Sequence, residues 1–101
     1  MAIAEISIVP IGTDSTSVSE YVAGALEPLA ASGLSYRLTP MGTIIEGPLA
    51  DVLQVIERMH ETPFAVGADR VYTVVKIDDR RDRERCMDDK VAAVKQRLQI
   101  D

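Results

Sequence analysis

Few residues in this chain could do chemistry. His60 is the one histidine and Cys86 the one cysteine. His60 falls near the end of a helical pattern, a place where an imidazole meets the helix dipole or solvent. No grouping of His, Cys and Asp has metal-ligand spacing. A Ser-His-Asp triad would have to use His60, and the sequence carries no nucleophile-elbow motif. Cys86 sits in Arg-Glu-Arg-Cys-Met; neighbouring arginines favour a thiolate, but an ordinary helix cysteine is the simpler reading. Asp78 and Asp79, followed by Asp82, offer carboxylates to a cation. They lack the glycine and terminal glutamate of a calcium loop and read as a solvated, salt-bridged helix entry. These residues predict no catalytic group and no bound metal.

Two other places are more informative. The stretch from Gly12 to Ser19 holds Thr13, Ser15, Thr16, Ser17 and Ser19. It sets hydroxyls and free backbone N–H groups at a helix N-terminus, which either cap the helix or receive an anion or polar ligand. The second place is Glu46, which interrupts an apolar strand in Met-Gly-Thr-Ile-Ile-Glu-Gly, residues 41–47. A carboxylate on a partly buried strand needs a donor. Arg37 or Arg70 would supply it from the protein; a ligand with an amino or cationic group would supply it from outside.

Hydrophobic periodicity gives the elements that position these groups. Residues 3–11 are rich in Ile and Val and end at Pro10 and Gly12, a first strand. Ser17 and Glu20 have capping-box spacing, and Val18, Tyr21, Val22, Ala25, Leu26 and Leu29 follow as one helical face with Gly33 as C-cap. Pro28 should kink the last turn of that helix or end it early. Residues 35–39 and 43–46 are short strands joined by Pro40-Met41-Gly42, a hairpin. Pro48 suits position N1 of a second helix carrying Leu49, Val52, Leu53, Ile56 and Met59, closed by Thr62-Pro63. Residues 70–77 form a β-branched strand. A charged run from Asp78 to Arg85 leads to a last helix with Met87, Val91, Val94 and Leu98 on one side. The order β-α-β-β-α-β-α is an α+β, ferredoxin-like βαββαβ arrangement with an additional C-terminal helix. Right-handed crossovers place both main helices on one face of a four-stranded antiparallel sheet.

Composition narrows the function classes. A length of 101 residues makes residues 1–101 a single domain. Hydrophobic residues at 47% and charged residues at 27% argue against a disordered chain or a fibre. The 16 acidic and 11 basic residues give a net charge of −5, so no nucleic-acid partner is expected. Aromatics at 4% leave few platforms for stacked bases. The N-terminus lacks a basic n-region, Glu5 and Pro10 break its apolar run, and no stretch reaches the roughly 18 apolar residues of a membrane span. With a lone cysteine, this predicts a cytoplasmic protein with no membrane association.

The strands are apolar on both sides. Ala4, Ile6 and Ile8 oppose Ile3, Val9 and Ile11; Val71, Thr73, Val75 and Ile77 oppose Tyr72 and Val74. Two helices cover one face only. The last helix can cover part of the other and a second subunit the rest, so self-association as a homodimer or homotetramer is expected.

Ile8-Val9-Pro10-Ile11-Gly12, Val18-Ser19-Glu20-Tyr21-Val22, the run from Tyr36 to Gly47, Gly67-Ala68-Asp69-Arg70-Val71 and Lys76-Ile77-Asp78-Asp79-Arg80 together resemble the small thiamine-binding, YkoF-like family. The most specific parts are Pro-Met-Gly-Thr-x-x-Glu-Gly and Gly-Ala-x-Arg-Val. Neither is a catalytic signature. The resemblance covers nearly the whole chain. It implies ferredoxin-like subunits assembled as dimers or tetramers, and thiamine or its hydroxymethylpyrimidine part as bound ligand, with no other cofactor. On the matching positions it implies that Glu46 accepts from the exocyclic amino group, that Thr43 and Ser19 bond ring nitrogens, and that Tyr36 or Tyr21 lies against the ring. The expected function is non-enzymatic binding of that vitamin. The alternatives are a ligand-free oligomerisation or regulatory module, and a small dimeric α+β-barrel-type enzyme that lacks a convincing acid–base pair.

Overall fold

A computed structural model describes residues 1–82 and 86–99. The elements follow as β1 (Ala2–Pro10), α1 (Ser19–Ser32), β2 (Ser35–Thr39), β3 (Gly42–Gly47), α2 (Leu49–Ala65), β4 (Val71–Asp79) and α3 (Met87–Leu98). The sheet order is β2-β3-β1-β4, with every pair antiparallel. This is the ferredoxin-like fold with an added C-terminal helix. Arg83 to Arg85, the end of the charged run, lie outside the described residues, as do residues 100–101.

The register divides the sheet into two faces. Ala4, Ile6 and Ile8 of β1 and Ile45 of β3 pack against Ala25 and Leu29 of α1 and Val52, Val55, Ile56 and Met59 of α2. The opposite face carries Ile3, Glu5, Ser7 and Val9 of β1, and Ile44 and Glu46 of β3. It is completed by Arg37 of β2 and by Tyr72, Val74, Lys76 and Asp78 of β4. Neither α1 nor α2 touches this open face. Alternation along each strand forces the division, because neighbouring side chains point to opposite sides.

Both helix-interior prolines are carried through. α1 continues past Pro28 to Ser32 and ends at Gly33, whose φ of 77° is the left-handed C-cap conformation that glycine adopts without strain. Leu29, next to Pro28, is fully buried, and its packing outweighs one missing backbone bond. α2 likewise runs through Pro63 to Ala65. The Met59 carbonyl, which a residue-63 N–H would have bonded, instead accepts the Thr62 hydroxyl at 2.7 Å. The expected Ser17–Glu20 box does not form. α1 begins one position later with Val18 as N-cap and no side-chain cap, and the Ser17 hydroxyl meets that of Ser19 at 3.3 Å. Pro48 is the N-cap of α2 rather than its first helical residue.

Gly47 is crowded by the Leu34 side chain. A Cβ there would lie 2.8 Å from Leu34 Cδ2, where the start of β2 and the end of β3 press together over Val52.

Candidate ligand-binding site

The structure distributes the four predicted ligand-binding residues over different places. Thr43 pairs with Ile6 and Leu38, faces the helices, and is 5% exposed. Tyr36 is on the same side, paired with Ile45 on the edge strand β2. Glu46 is on the opposite, open face. Ser19 opens α1 in the helix layer, exposed, with its hydroxyl against Ser17. Tyr21, the alternative ring platform, is half-buried in α1. The Thr43 and Glu46 side chains therefore point away from each other, as a separation of three along a strand dictates.

Glu46 has found a donor that neither arginine candidate supplies. The Met87 backbone N–H donates to its Oε2 at 2.8 Å. Met87 is the first residue of α3, so the carboxylate meets the positive end of the helix dipole. Two ion pairs flank this contact on the same face: Arg37 with Asp88, and Lys90 with Asp78. The Asp88 hydrogen bond, followed by its charge, raises Arg37 above the ordinary guanidinium value, and Glu46 adds to the effect. Cys86 is the N-cap of α3, in a reciprocal box with Asp89 whose carboxylate accepts the Cys86 N–H at 3.0 Å. The sequence signal was weak there, because cysteine is not among the usual capping residues.

α3 is thus held to the sheet by polar contacts at its first turns and by buried Met87. The rest of its apolar stripe is open: Val91 is 45% exposed, Val94 57% and Leu98 63%. The molecule is correspondingly elongated, with a radius of gyration of 15.2 Å against about 13 Å for a compact chain of this length. Between α3 and the open face lies a cleft of about 410 Å³, lined by Met1, Ile3, Asp78, Arg80, Lys90 and Ala93. That volume is within the range of small-molecule sites.

The other candidates have local partners. His60 Nδ1 lies 2.7 Å from the Thr73 hydroxyl, and its ring meets Phe64 edge-on at 5.6 Å. It is a partly buried bridge from α2 to β4 rather than a solvent-facing helix end. Asp79 pairs with Arg81 at 2.7 Å and Asp82 with Arg80, the salt-bridged entry that the charged run suggested. The Arg81 hydrogen bond, ahead of its charge and against desolvation, holds the Asp79 carboxyl below its usual range. In the Gly12–Ser19 loop the Thr13 hydroxyl donates to the Ser15 carbonyl at 2.9 Å, and the Ser17 N–H donates to the Ser15 hydroxyl at 3.1 Å. These bonds engage Thr13, Ser15 and Ser17 within the loop. Among the described residues no group of three His, Cys, Asp or Glu side chains is placed to hold a metal ion. No described helix is long and apolar enough to cross a membrane.

Relatives are found across bacteria and archaea. The UPF0045 protein YqgV of Bacillus subtilis is 48% identical, covering 98% of this chain and 99% of its own. A UPF0045 protein of Methanothermobacter thermautotrophicus is 43% identical over 97% and 100% of the two chains. The crystal structure of MJ1052 from Methanocaldococcus jannaschii superposes with a TM-score of 0.86 at 36% identity, covering 94% of this chain and 96% of that one. TM0486 of Thermotoga maritima, at 19% identity and a TM-score of 0.77 over 92% and 97% of the chains, shares the fold. The sequence model described as thiamine-binding protein matches residues 4–95, and the chain belongs to that family.

Proposed function

We propose that this protein binds thiamine or its hydroxymethylpyrimidine part without transforming it, as a cytoplasmic homo-oligomer. The observation that carries the reading is the family match over residues 4–95. The open face supports it. Glu46 offers a carboxylate whose Oε2 is engaged by a backbone N–H, and a carboxylate has lone pairs for further donors. An aminopyrimidine presents an exocyclic amino donor of that kind. Tyr36, Thr43 and Ser19 do not share this locus, so Glu46 is the residue on which the binding proposal rests.

The apolar end of the same face supports self-association. Val9 pairs with Tyr72 and Ser7 with Val74, and Val9, Tyr72 and Val74 are all exposed. A second copy seated there would bury them. That same patch is what favours the second reading, an assembly module without a ligand. Isothermal titration of ligand-stripped protein with thiamine and with hydroxymethylpyrimidine separates the two. Saturable binding at micromolar affinity, lost in Glu46→Ala without loss of assembly by light scattering, is the expected result. Absence of binding at millimolar ligand, with assembly intact, would leave the module. Turnover of a thiamine derivative, abolished by the same change, would overturn the non-enzymatic reading.

A further inference from the structure

The two edges of the sheet differ in how they are protected. β2 has five residues, carries Arg37 and is followed by Pro40. Short length, a charge and a proline all blunt an edge against pairing. β4 has nine residues, and from Val71 to Ile77 it has no proline or glycine and a single charge, Lys76. One side of β4 pairs with β1 along its whole length, and the other meets no strand. Its free backbone groups can be named. The Ile11 N–H donates to the Arg70 carbonyl at 2.8 Å, and these two residues continue the β1–β4 register. The even-numbered residues of β4 therefore bond to β1. Alternation turns the N–H and C=O of Val71, Thr73, Val75 and Ile77 out of the sheet. The side chains along this edge are apolar on both faces: Tyr72, Val74, Val75 and Ile77 are all exposed.

We propose that β4 pairs antiparallel with β4 of a second copy, about a two-fold axis through Val74, joining two four-stranded sheets into one of eight strands. The occupant is a second copy because the strand complements its own reverse. With Val74 on the axis, Arg70 faces the partner's Asp78, Tyr72 faces the partner's Lys76, and Val74 faces its own copy on the open face. On the helix side Val71 faces the partner's Ile77 and Thr73 the partner's Val75. These are opposite charges, a cation beside an aromatic ring, and β-branched residues in contact. A shift of the axis by one residue opposes Val71 to Asp79 in one direction and Arg70 to Lys76 in the other, and larger shifts shorten the paired stretch. Arg70 is exposed and has no ion pair among the described residues. Asp78 is exposed beside Lys90 and keeps acceptor capacity for a second donor. The pairing sets the Val9, Tyr72 and Val74 groups of two copies side by side, and a second such dimer seated on that doubled patch closes a tetramer. This deepens the self-association reading above. The two contacts are separable, since one uses the edge of β4 and the other its face.

The test uses the full chain. Val75→Pro removes an outward N–H and leaves the ladder to β1 intact, the one setting in which a strand tolerates proline. It should halve the mass of the assembly in sedimentation velocity while keeping a cooperative melt. Cross-linking in a Cys86→Ser background reads the register. Val74→Cys should form an intermolecular disulfide on mild oxidation, because opposed residues in a non-hydrogen-bonded pair have Cα atoms about 4.5 Å apart. Tyr72→Cys and Lys76→Cys should cross-link when combined in one chain and not singly. Unchanged mass in Val75→Pro, with no cross-link through Val74→Cys, overturns the edge pairing and spares association through the open face. Efficient cross-linking of Tyr72→Cys alone overturns the register. A wild type that sediments as a monomer overturns both the pairing and the self-association reading. If Val75→Pro loses its melt, the cross-links decide.

Discussion

Replacing Glu46 by Ala should release α3 while leaving the sheet intact. The helix has 12 residues, at the lower limit of what holds together alone in water. Its apolar stripe beyond Met87 is exposed, so little hydrophobic burial keeps it in place. The Arg37–Asp88 and Lys90–Asp78 pairs are solvent-accessible and contribute little each. That leaves the Glu46–Met87 contact as the principal polar tether. A hydrogen bond to a charged acceptor contributes ~1.5–3 kcal/mol when well shielded. This one is partly buried, which reduces the figure to about 1 kcal/mol. The loss corresponds to about a fivefold rise in the local opening equilibrium of α3. Native-state hydrogen exchange reads this directly. Amides of residues 90–98 should exchange about fivefold faster in the variant, while those of β1 and β4 keep wild-type rates. Unchanged exchange in α3 would refute the tether. Equal acceleration in the sheet would show instead that Glu46 supports β3.

Three further outcomes follow from the packing and the charges. Gly47→Ala drives a Cβ to 2.8 Å from Leu34 Cδ2; overpacking of this kind costs about 1–3 kcal/mol, read as a lower denaturation midpoint with unchanged m-value. Thr62→Val leaves the Met59 carbonyl without the hydroxyl that replaces the missing Pro63 donor, and should cost about 1 kcal/mol in the same assay. Asp79 has its folded value depressed by Arg81. Its contribution to stability is therefore present above the ordinary carboxylate value near ~3.9 and is lost as the pH falls through the depressed one. The melting deficit of Asp79→Asn relative to wild type, small at neutral pH, should vanish in acid.

All seven elements and their order were legible because the signals are local. Ile- and Val-rich, β-branched runs mark β1 and β4, helical spacing marks α1 and α2, and Gly33 marks the end of α1. At the two helix-interior prolines an intrinsic preference was outweighed by packing or by a neighbouring side chain. Pro28 does not end α1 because Leu29 is anchored in the core, and Pro63 does not end α2 because Thr62 serves the orphaned carbonyl. Glu46 was visible as an anomaly in an apolar strand, but its donor is a backbone N–H remote in the chain that no side-chain inventory contains. Strand alternation alone places Thr43 and Glu46 on opposite faces. Strand pairing places Asp78 in one row with Ile3 and Glu46, across strands that sequence order does not make neighbours.

The open face is divided between two kinds of surface, and the division bears on how binding and assembly relate. The row through Glu46, Ile3 and Asp78 lies under α3. The apolar group of Val9, Tyr72 and Val74 lies toward the other end of β1 and β4, and the Glu5–Lys76 pair at 3.7 Å separates the two. A second copy resting on the apolar group would not have to desolvate that ion pair or reach the acid row. Two sites influence one another only through a shared element whose states they bind differently. Here the elements joining them are β1, a central strand, and β4, an edge strand, of a packed sheet with a single register, while the contacts of α3 with Arg37, Glu46 and Asp78 are at the other end of the face. Self-association at the apolar group and ligand binding at the other end of the face, as proposed, are therefore expected to be uncoupled. Substitutions that dissociate the oligomer through Tyr72 or Val74 should leave ligand affinity per protomer unchanged, and substitutions at Glu46 should leave the oligomer intact.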